Sequence, residues 1–334
     1  VDREREIERF TSRQHFTVRT DLETSRNEGI LALWQIPDDL LVDELLLDRE
    51  PAAALVARLP GERAVVEKFT RKEHEREALM PYNLSKLKQV ANRRFGLSGQ
   101  ATLDAAQELY EAKASTYPRT DCPYLPEEQH GDAREILGTL GALSIAGIDP
   151  RRKHSAWNTK KVEAHHAIIP TGRAVPGNVS SAAQQVFSLI RDAYVRLFMP
   201  PERYETREAI FAFSSGERFR AHSRFTLKPG WTELGGADDE PVEEEGKEAH
   251  ARLPALEVGE QVVCSGADVV AKDTKPPRYY TDGTLEAAMV GIHKLIIDPK
   301  MKARLRETSG LGTEATRAAI IETLIAREYI HRNK

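Results

Sequence analysis

The apolar positions along the chain change their period three times. From about Phe10 to Arg76 they fall in short alternating runs. "HFTVRTDLE" and "ILALWQI" are rich in β-branched and aromatic residues, and "RAVVEKFTRKEHERE" alternates apolar with charged positions, so this stretch predicts strands. After Pro81 the spacing becomes helical. "NLSKLKQVANRRF" sets Leu84, Leu87, Ala91 and Phe95 on one face, with Asn83 or Ser85 as a cap and Gly96 as a stop. "SGQATLDAAQELYEAK" predicts a second helix with Leu103, Ala106, Leu109 and Tyr110 on one face. "EEQHGDAREILGTLGAL" reads as a third, and "SAAQQVFSLIRDAYVRLFMP" as an amphipathic helix closed by Pro200 and Pro201. Between these two, "RRKHSAWNTKKVEAHHAIIPTG" is basic, irregular and rich in turn residues. Strand texture returns from about Tyr204 to Lys272, and from "PPRYYTDGTLEAAMVGIHKLI" onward the chain is helical.

The order β, α, β, α predicts an α+β multidomain chain in which a helical domain is inserted into a β domain. A sheet can be completed by strands from either side of an insertion. The boundaries expected are 10–78 with 204–274 for the β domain and 79–203 for the helical domain. Residues 1–9 with 275–334 would form a partial helical domain. No internal repeat of fixed period is visible.

Composition narrows the class. Hydrophobic residues make up 40 % and charged residues 30 %, the range of a globular protein. No apolar run approaches the roughly 18 residues of a spanning helix, and no signal-peptide pattern is present, so a cytoplasmic protein without a membrane partner is expected. Cys122 and Cys264 form no metal-ligand spacing. The net charge of −4 does not exclude a polyanion, because "GADDEPVEEEGKE" (236–248) carries seven acidic residues against one lysine. That segment fits a solvated loop, and without it the chain is weakly basic. The opening "VDREREIERF" and the closing "IAREYIHRNK" both look cut from something longer.

Three constellations could carry chemistry. In "ASTYPRTDCPYLPEE" the phenol of Tyr117 stands before Pro118, which restricts its backbone, with the planar guanidinium of Arg119 close by. A cation beside a tyrosine can stabilise a phenolate or a phosphoryl group under attack. A buried tyrosine in a proline turn would explain the same letters. The adjacent His165 and His166 in "EAHHAIIPTG" could contact phosphate, act as acid or base, or be structural. Metal is the weakest reading, since neighbouring histidines seldom point the same way and no third ligand is spaced to join them. In "TSGLGTEATRAAIIETLIAREYI", Gly310 and Gly312 precede a helix that starts near Thr313, with Arg317 in its first turn. This is either a phosphate site or a plain capped helix.

Taken together and in order, "PYNLSKLKQVANRRFGLSGQATLDAAQELYEAKASTYPRTDCPYLPEE", "HHAIIPTG" and "GLGTEATRAAIIETLIAREYI" resemble the motifs of type IA DNA topoisomerases. The wording of "YPRTDCPYLP" and "PPRYYTDGTLEAAM" is most similar to the topoisomerase III branch. The resemblance implies a toroidal core whose β segments form the arch, with the tyrosine on an inserted, winged-helix-like helical domain. It implies that Tyr117 attacks a DNA phosphodiester and becomes a 5′-phosphotyrosine, and that Arg119 holds the scissile phosphate. His165 matches a phosphate-contacting histidine, and Thr171, Thr313, Thr316 and Arg317 fall in DNA-binding segments. The partners implied are single-stranded or negatively supercoiled DNA, handled by a monomer in a bacterial-like cytoplasm.

One departure qualifies the resemblance. Family members begin with a Toprim domain whose Asp-x-Asp acids bind Mg²⁺, and no Asp-x-Asp occurs here. The expectation is a fragment with the nucleophile but without the metal site, binding single strands weakly and not relaxing supercoils. Two other readings stand beside it. A rolling-circle relaxase would place two histidines around one apolar residue, whereas His165 and His166 are adjacent. A non-catalytic single-strand-binding module would show aromatic platforms in basic runs, which are not evident.

Overall fold

The computed structural model describes residues 2–236, 253–307, 310–313 and 316–332. It divides into two compact units. The first comprises Val1–Glu75, Arg203–Pro229 and Val242–Tyr279, and the second Arg76–Glu202, Gly230–Pro241 and Tyr280–Lys334. From residue 237 onward, the acidic segment expected as a solvated loop lies outside the described residues.

The first unit is built on a closed antiparallel barrel of six strands. These are β1 (Gln14–Thr24), β2 (Gly29–Trp34), β3 (Arg63–Arg76), β4 (Glu202–Phe213), β5 (Arg218–Lys228) and β6 (Gln261–Asp273). Their order around the barrel is β1-β2-β5-β4-β3-β6. Alternation explains the closure. Phe16, Val18, Thr20, Leu22 and Thr24 of β1 point inward, as do Ile30, Ala32 and Trp34 of β2 and Phe219 and Ala221 of β5. The β1–β6 ladder shifts register between Asp21 and Leu22, a bulge that bends this pair. Helix α1 (Asp2–Glu8) precedes the barrel. A further helix, α2 (Glu50–Arg58), interrupts the stretch expected to be all strand. Its alanine-rich "EPAAALVAR" carries Pro51 in the first turn, where proline's missing N–H costs nothing. Ala52 and Leu55, with Leu59 just past its end, join the barrel core.

The second unit packs helices. Helix α3 (Leu84–Phe95) starts where the Asn83 side chain accepts a hydrogen bond from the Lys86 amide at 2.8 Å. It stops at Gly96 in the left-handed conformation, φ 68°. Helix α4 (Gly99–Glu111) is capped by Ser98 and α6 (Ser181–Arg196) by Ser180, with the short α5 (Ala133–Thr139) between them. Leu84, Leu87, Val90 and Ala91 of α3, Leu103, Ala106 and Leu109 of α4, and Val186, Leu189 and Ile190 of α6 form one buried cluster. Each large aliphatic side chain so buried stabilises the unit by about 1.5–3 kcal/mol. The third helix expected from "EEQHGDAREILGTLGAL" is broken into short turns around α5, with Gly141 at φ 67°. Helices α7 (Asp282–Val290), α8 (Pro299–Glu307) and α9 (Arg317–Ala326) complete the unit. Among the described residues no helix is long and apolar enough to cross a membrane.

Candidate active site

The segment that carries Tyr117 begins at the end of α4. Lys113, at φ 59°, occupies the left-handed position where glycine is usual. Its amide bonds the Tyr110 carbonyl at 2.8 Å and the Ala114 amide bonds the Leu109 carbonyl at 2.9 Å. This paired closure turns the chain sharply away from the helix. The following residues run beside the segment that carries His165. The Thr116 amide donates to the Ile169 carbonyl at 3.0 Å, and the Thr171 amide donates to Ala114 at 3.2 Å. The Thr116 hydroxyl adds two bonds, donating to the Ala167 carbonyl at 3.1 Å and accepting from the Ile169 amide at 3.0 Å. On the far side of Tyr117 the turn is tied to α3. Leu84 donates to the Thr120 carbonyl at 2.9 Å, and the Asn83 amide group donates to the Asp121 carbonyl at 2.9 Å. Asn83 therefore caps a helix with its oxygen and holds the tyrosine turn with its nitrogen.

Thr116 carries much of this register. Replacing it with valine keeps the volume but leaves the buried Ile169 amide without its partner and takes one bond from the Ala167 carbonyl, which the His166 Nδ1 also meets at 2.8 Å, so a loss of about 1–3 kcal/mol is expected in urea unfolding. Thr116→Ser should recover most of it. An unfolding curve for Thr116→Val superimposable on that of the parent would contradict this role.

Tyr117 is half-buried, and its ring contacts two others. The His165 imidazole lies 4.4 Å away between centroids, tilted by 38°, and Tyr110 meets it edge-on at 5.6 Å and 81°. His165 and Arg119 are exposed, and Arg119 makes no ion pair or hydrogen bond with the described residues. An exposed guanidinium two residues from a phenol that packs on an exposed imidazole is suited to an anion supplied from outside. Cys122, by contrast, is internal. Burial pushes its thiol up, against an opposing hydrogen bond from Tyr124, and its sulfur approaches the Lys161 carbonyl at 3.4 Å. It holds the neighbouring loop and stays un-ionised.

The remaining sequence candidates are placed as follows. Thr171 is exposed and its hydroxyl donates to the Lys113 carbonyl at 2.5 Å, bracing the left-handed turn. Thr313 and Thr316 engage each other before α9. The Thr313 amide donates to the Thr316 hydroxyl at 2.8 Å, and the two hydroxyls are 3.0 Å apart. Arg317, expected to contact DNA, is fully buried. Its guanidinium bonds the carbonyls of Leu311 at 3.1 Å and Gly312 at 3.0 Å, so it braces the glycine loop and does not face solvent. Gly310 sits there at φ 85°, and a side chain would place a carbon 2.4 Å from the Met289 carbonyl oxygen. Sequence reasoning passed over Thr116 and placed Tyr110 on the apolar face of α4, whereas the structure leaves it 41 % exposed beside Tyr117. The described residues hold no group of three or more His, Cys, Asp or Glu side chains placed to take a metal ion.

The fold has a solved counterpart in the full-length topoisomerase I from Thermotoga maritima. The similarity has a TM-score of 0.67 at 22 % identity and covers 100 % of this chain and 50 % of that one. The architecture is thus a topoisomerase fold. The family model described as DNA topoisomerase matches residues 1–334, and the chain belongs to that family. Among relatives, DNA topoisomerase 3 of Salmonella typhimurium is 36 % identical over 340 residues, 99 % of this chain and 52 % of that protein. DNA topoisomerase 3 of Bacillus subtilis is 31 % identical over 333 residues, 96 % of this chain and 45 % of that protein. The chain spans about half the length of the curated relatives it matches.

Proposed function

We propose that the chain is the strand-cleaving core of a type IA DNA topoisomerase of the topoisomerase III kind, with Tyr117 as nucleophile. The observation that carries this reading is the Tyr117 ring packed on the exposed His165, with the exposed Arg119 two residues further along the same turn, three residue types suited to a phosphodiester. In the reaction the Tyr117 oxygen attacks phosphorus and loses its proton. The bond from phosphorus to the 3′ oxygen breaks, and that oxygen leaves as a 3′ hydroxyl after taking up a proton. The 5′ phosphate stays on Tyr117 until the 3′ hydroxyl attacks it and restores the strand. Arg119 and His165 would offset the charge that gathers on the phosphoryl oxygens. Thr171, Thr313 and Thr316 would contact the single strand, with Arg317 supporting the loop before α9.

The barrel unit would serve as the arch of a strand-passage toroid, and the helical part (79–203) as a winged-helix-like carrier of the tyrosine. Residues 1–9 and 275–334 would belong to a further helical domain. Mg²⁺ would be held by acidic residues of a Toprim domain outside this stretch. The protein would act as a monomer on negatively supercoiled DNA in the cytoplasm.

The test is covalent trapping. The full-length protein is mixed with a single-stranded oligonucleotide labelled at its 3′ end and quenched in detergent. The label should travel with the protein, and the modified peptide should contain Tyr117. Transfer of a 5′ label instead, or an adduct on another residue, overturns the assignment.

A further inference from the structure

Tyr110 stands where α4 has no structural use for an aromatic ring. The apolar face of the helix is filled by Leu103, Ala106 and Leu109, all buried, and Tyr110 projects off that face with 41 % of its surface exposed. Its hydroxyl has no hydrogen-bond partner among the described residues. The contact that distinguishes it is the edge-on approach to Tyr117, at 5.6 Å and 81°. The same Tyr117 ring also meets His165 at 4.4 Å, tilted by 38°.

We propose that Tyr110 is a positioning residue for strand cleavage, its ring and that of His165 forming an aromatic clamp that fixes the direction of the Tyr117 phenol. This rests on the reading of Tyr117 as nucleophile. The backbone makes the clamp stiff. The Tyr110 carbonyl is itself tied into the closure of α4 through the Lys113 amide, and the Thr116 hydroxyl locks the residue before Tyr117 onto the His165 segment. Both ring-bearing backbones are therefore held. What remains free is rotation about the Tyr117 side-chain bonds, and edge-on contact with a neighbouring ring limits that rotation. In-line attack on phosphorus tolerates little misdirection, and displacements of about 1 Å can cost roughly a hundredfold in rate. The clamp needs the ring of Tyr110 and not its hydroxyl, so phenylalanine should substitute for it and small or aliphatic residues should not.

The experiment compares Tyr110→Phe, Tyr110→Leu and Tyr110→Ala in the full-length protein, with Tyr117→Phe beside them. It reads the single-turnover cleavage rate of a 3′-labelled oligonucleotide, its dissociation constant, and thermal unfolding. For Ala and Leu the expected result is a cleavage rate lower by roughly 10- to 100-fold. Affinity should stay within about twofold, the unfolding temperature should be unchanged, and Phe should restore near-parental cleavage. Parental cleavage by Tyr110→Ala overturns the proposal. So does failure of Phe to rescue, which would place the role in the hydroxyl. Affinity falling in step with cleavage also overturns it, because Tyr110 would then be a stacking contact for a base. A Tyr117→Phe protein that still forms the adduct fails in a different way, since it removes the nucleophile on which the clamp acts.

Discussion

Tyr117→Phe should abolish the covalent protein–DNA adduct, a loss of at least about 10⁴-fold against the limit of detection, with single-strand affinity changed by less than about twofold. The substitution is narrow. Phenylalanine keeps the ring that packs on His165 and Tyr110. The phenol oxygen has no hydrogen-bond partner among the described residues, so its removal orphans no donor or acceptor. Stability should therefore shift by no more than about 0.5 kcal/mol, as for substitutions away from packed or bonded features. Loss of the adduct together with loss of folding would instead assign Tyr117 a structural part, the alternative that the proline turn left open. Loss of the adduct with unchanged unfolding and binding separates a strand-cleaving enzyme from a single-strand-binding module, because a binder has no use for the hydroxyl.

Which parts of this arrangement are legible in the sequence depends on the range of the interactions behind them. The starts and stops of α3, α4 and α6 are local events: Asn83, Ser98 and Ser180 accept bonds from amides three residues on, and Gly96 takes a left-handed turn. Spacing and cap residues reveal them. Helix α2 was hidden because residues 51–57 are apolar without a break, so no helical period stands out, and they lie between strands of clear alternation. Tyr110 was misplaced because a face assigned by spacing is uncertain by one residue at a helix end, where the last turn meets the closure at Lys113. The meeting of Tyr117 with His165 left no local trace. It depends on pairing of the 114–116 segment with 169–171, and neither stretch alternates like a strand. The burial of Arg317 was equally silent, since an arginine in a first turn reads as exposed unless the carbonyls that receive it are known. The candidate residues are therefore nameable from the sequence, whereas the meeting of Tyr117 with His165 required the fold.

The largest stability effect is expected at a residue outside the chemistry. Lys88 lies on α3 four residues after Leu84 and three before Ala91, among positions that are all buried, and is itself 0 % exposed. Its ammonium meets the Glu286 carboxylate of α7 at 2.8 Å, with Glu286 1 % exposed. The approach of the two helices is close. The Gly283 amide donates to the Asn92 side chain at 3.1 Å, and a side-chain carbon at Gly283 would lie only 3.2 Å from the backbone of Gln89. Two charges so enclosed are costly to desolvate, and removing one takes from the other its partner at 2.8 Å. Lys88→Met should therefore destabilise the helical unit by about 3–5 kcal/mol, seen as a lower urea midpoint and faster hydrogen exchange in both α3 and α7. The paired replacement Lys88→Met with Glu286→Leu removes both charges and keeps apolar volume. It should recover most of that loss, returning to within about 1.5 kcal/mol of the parent. If the double variant were as unstable as the single one, the packing of the Lys88 stem and not its charge would hold α3 to α7. If Lys88→Met unfolded like the parent, the pair would contribute nothing, and the buried lysine on the apolar face of α3 would need another explanation.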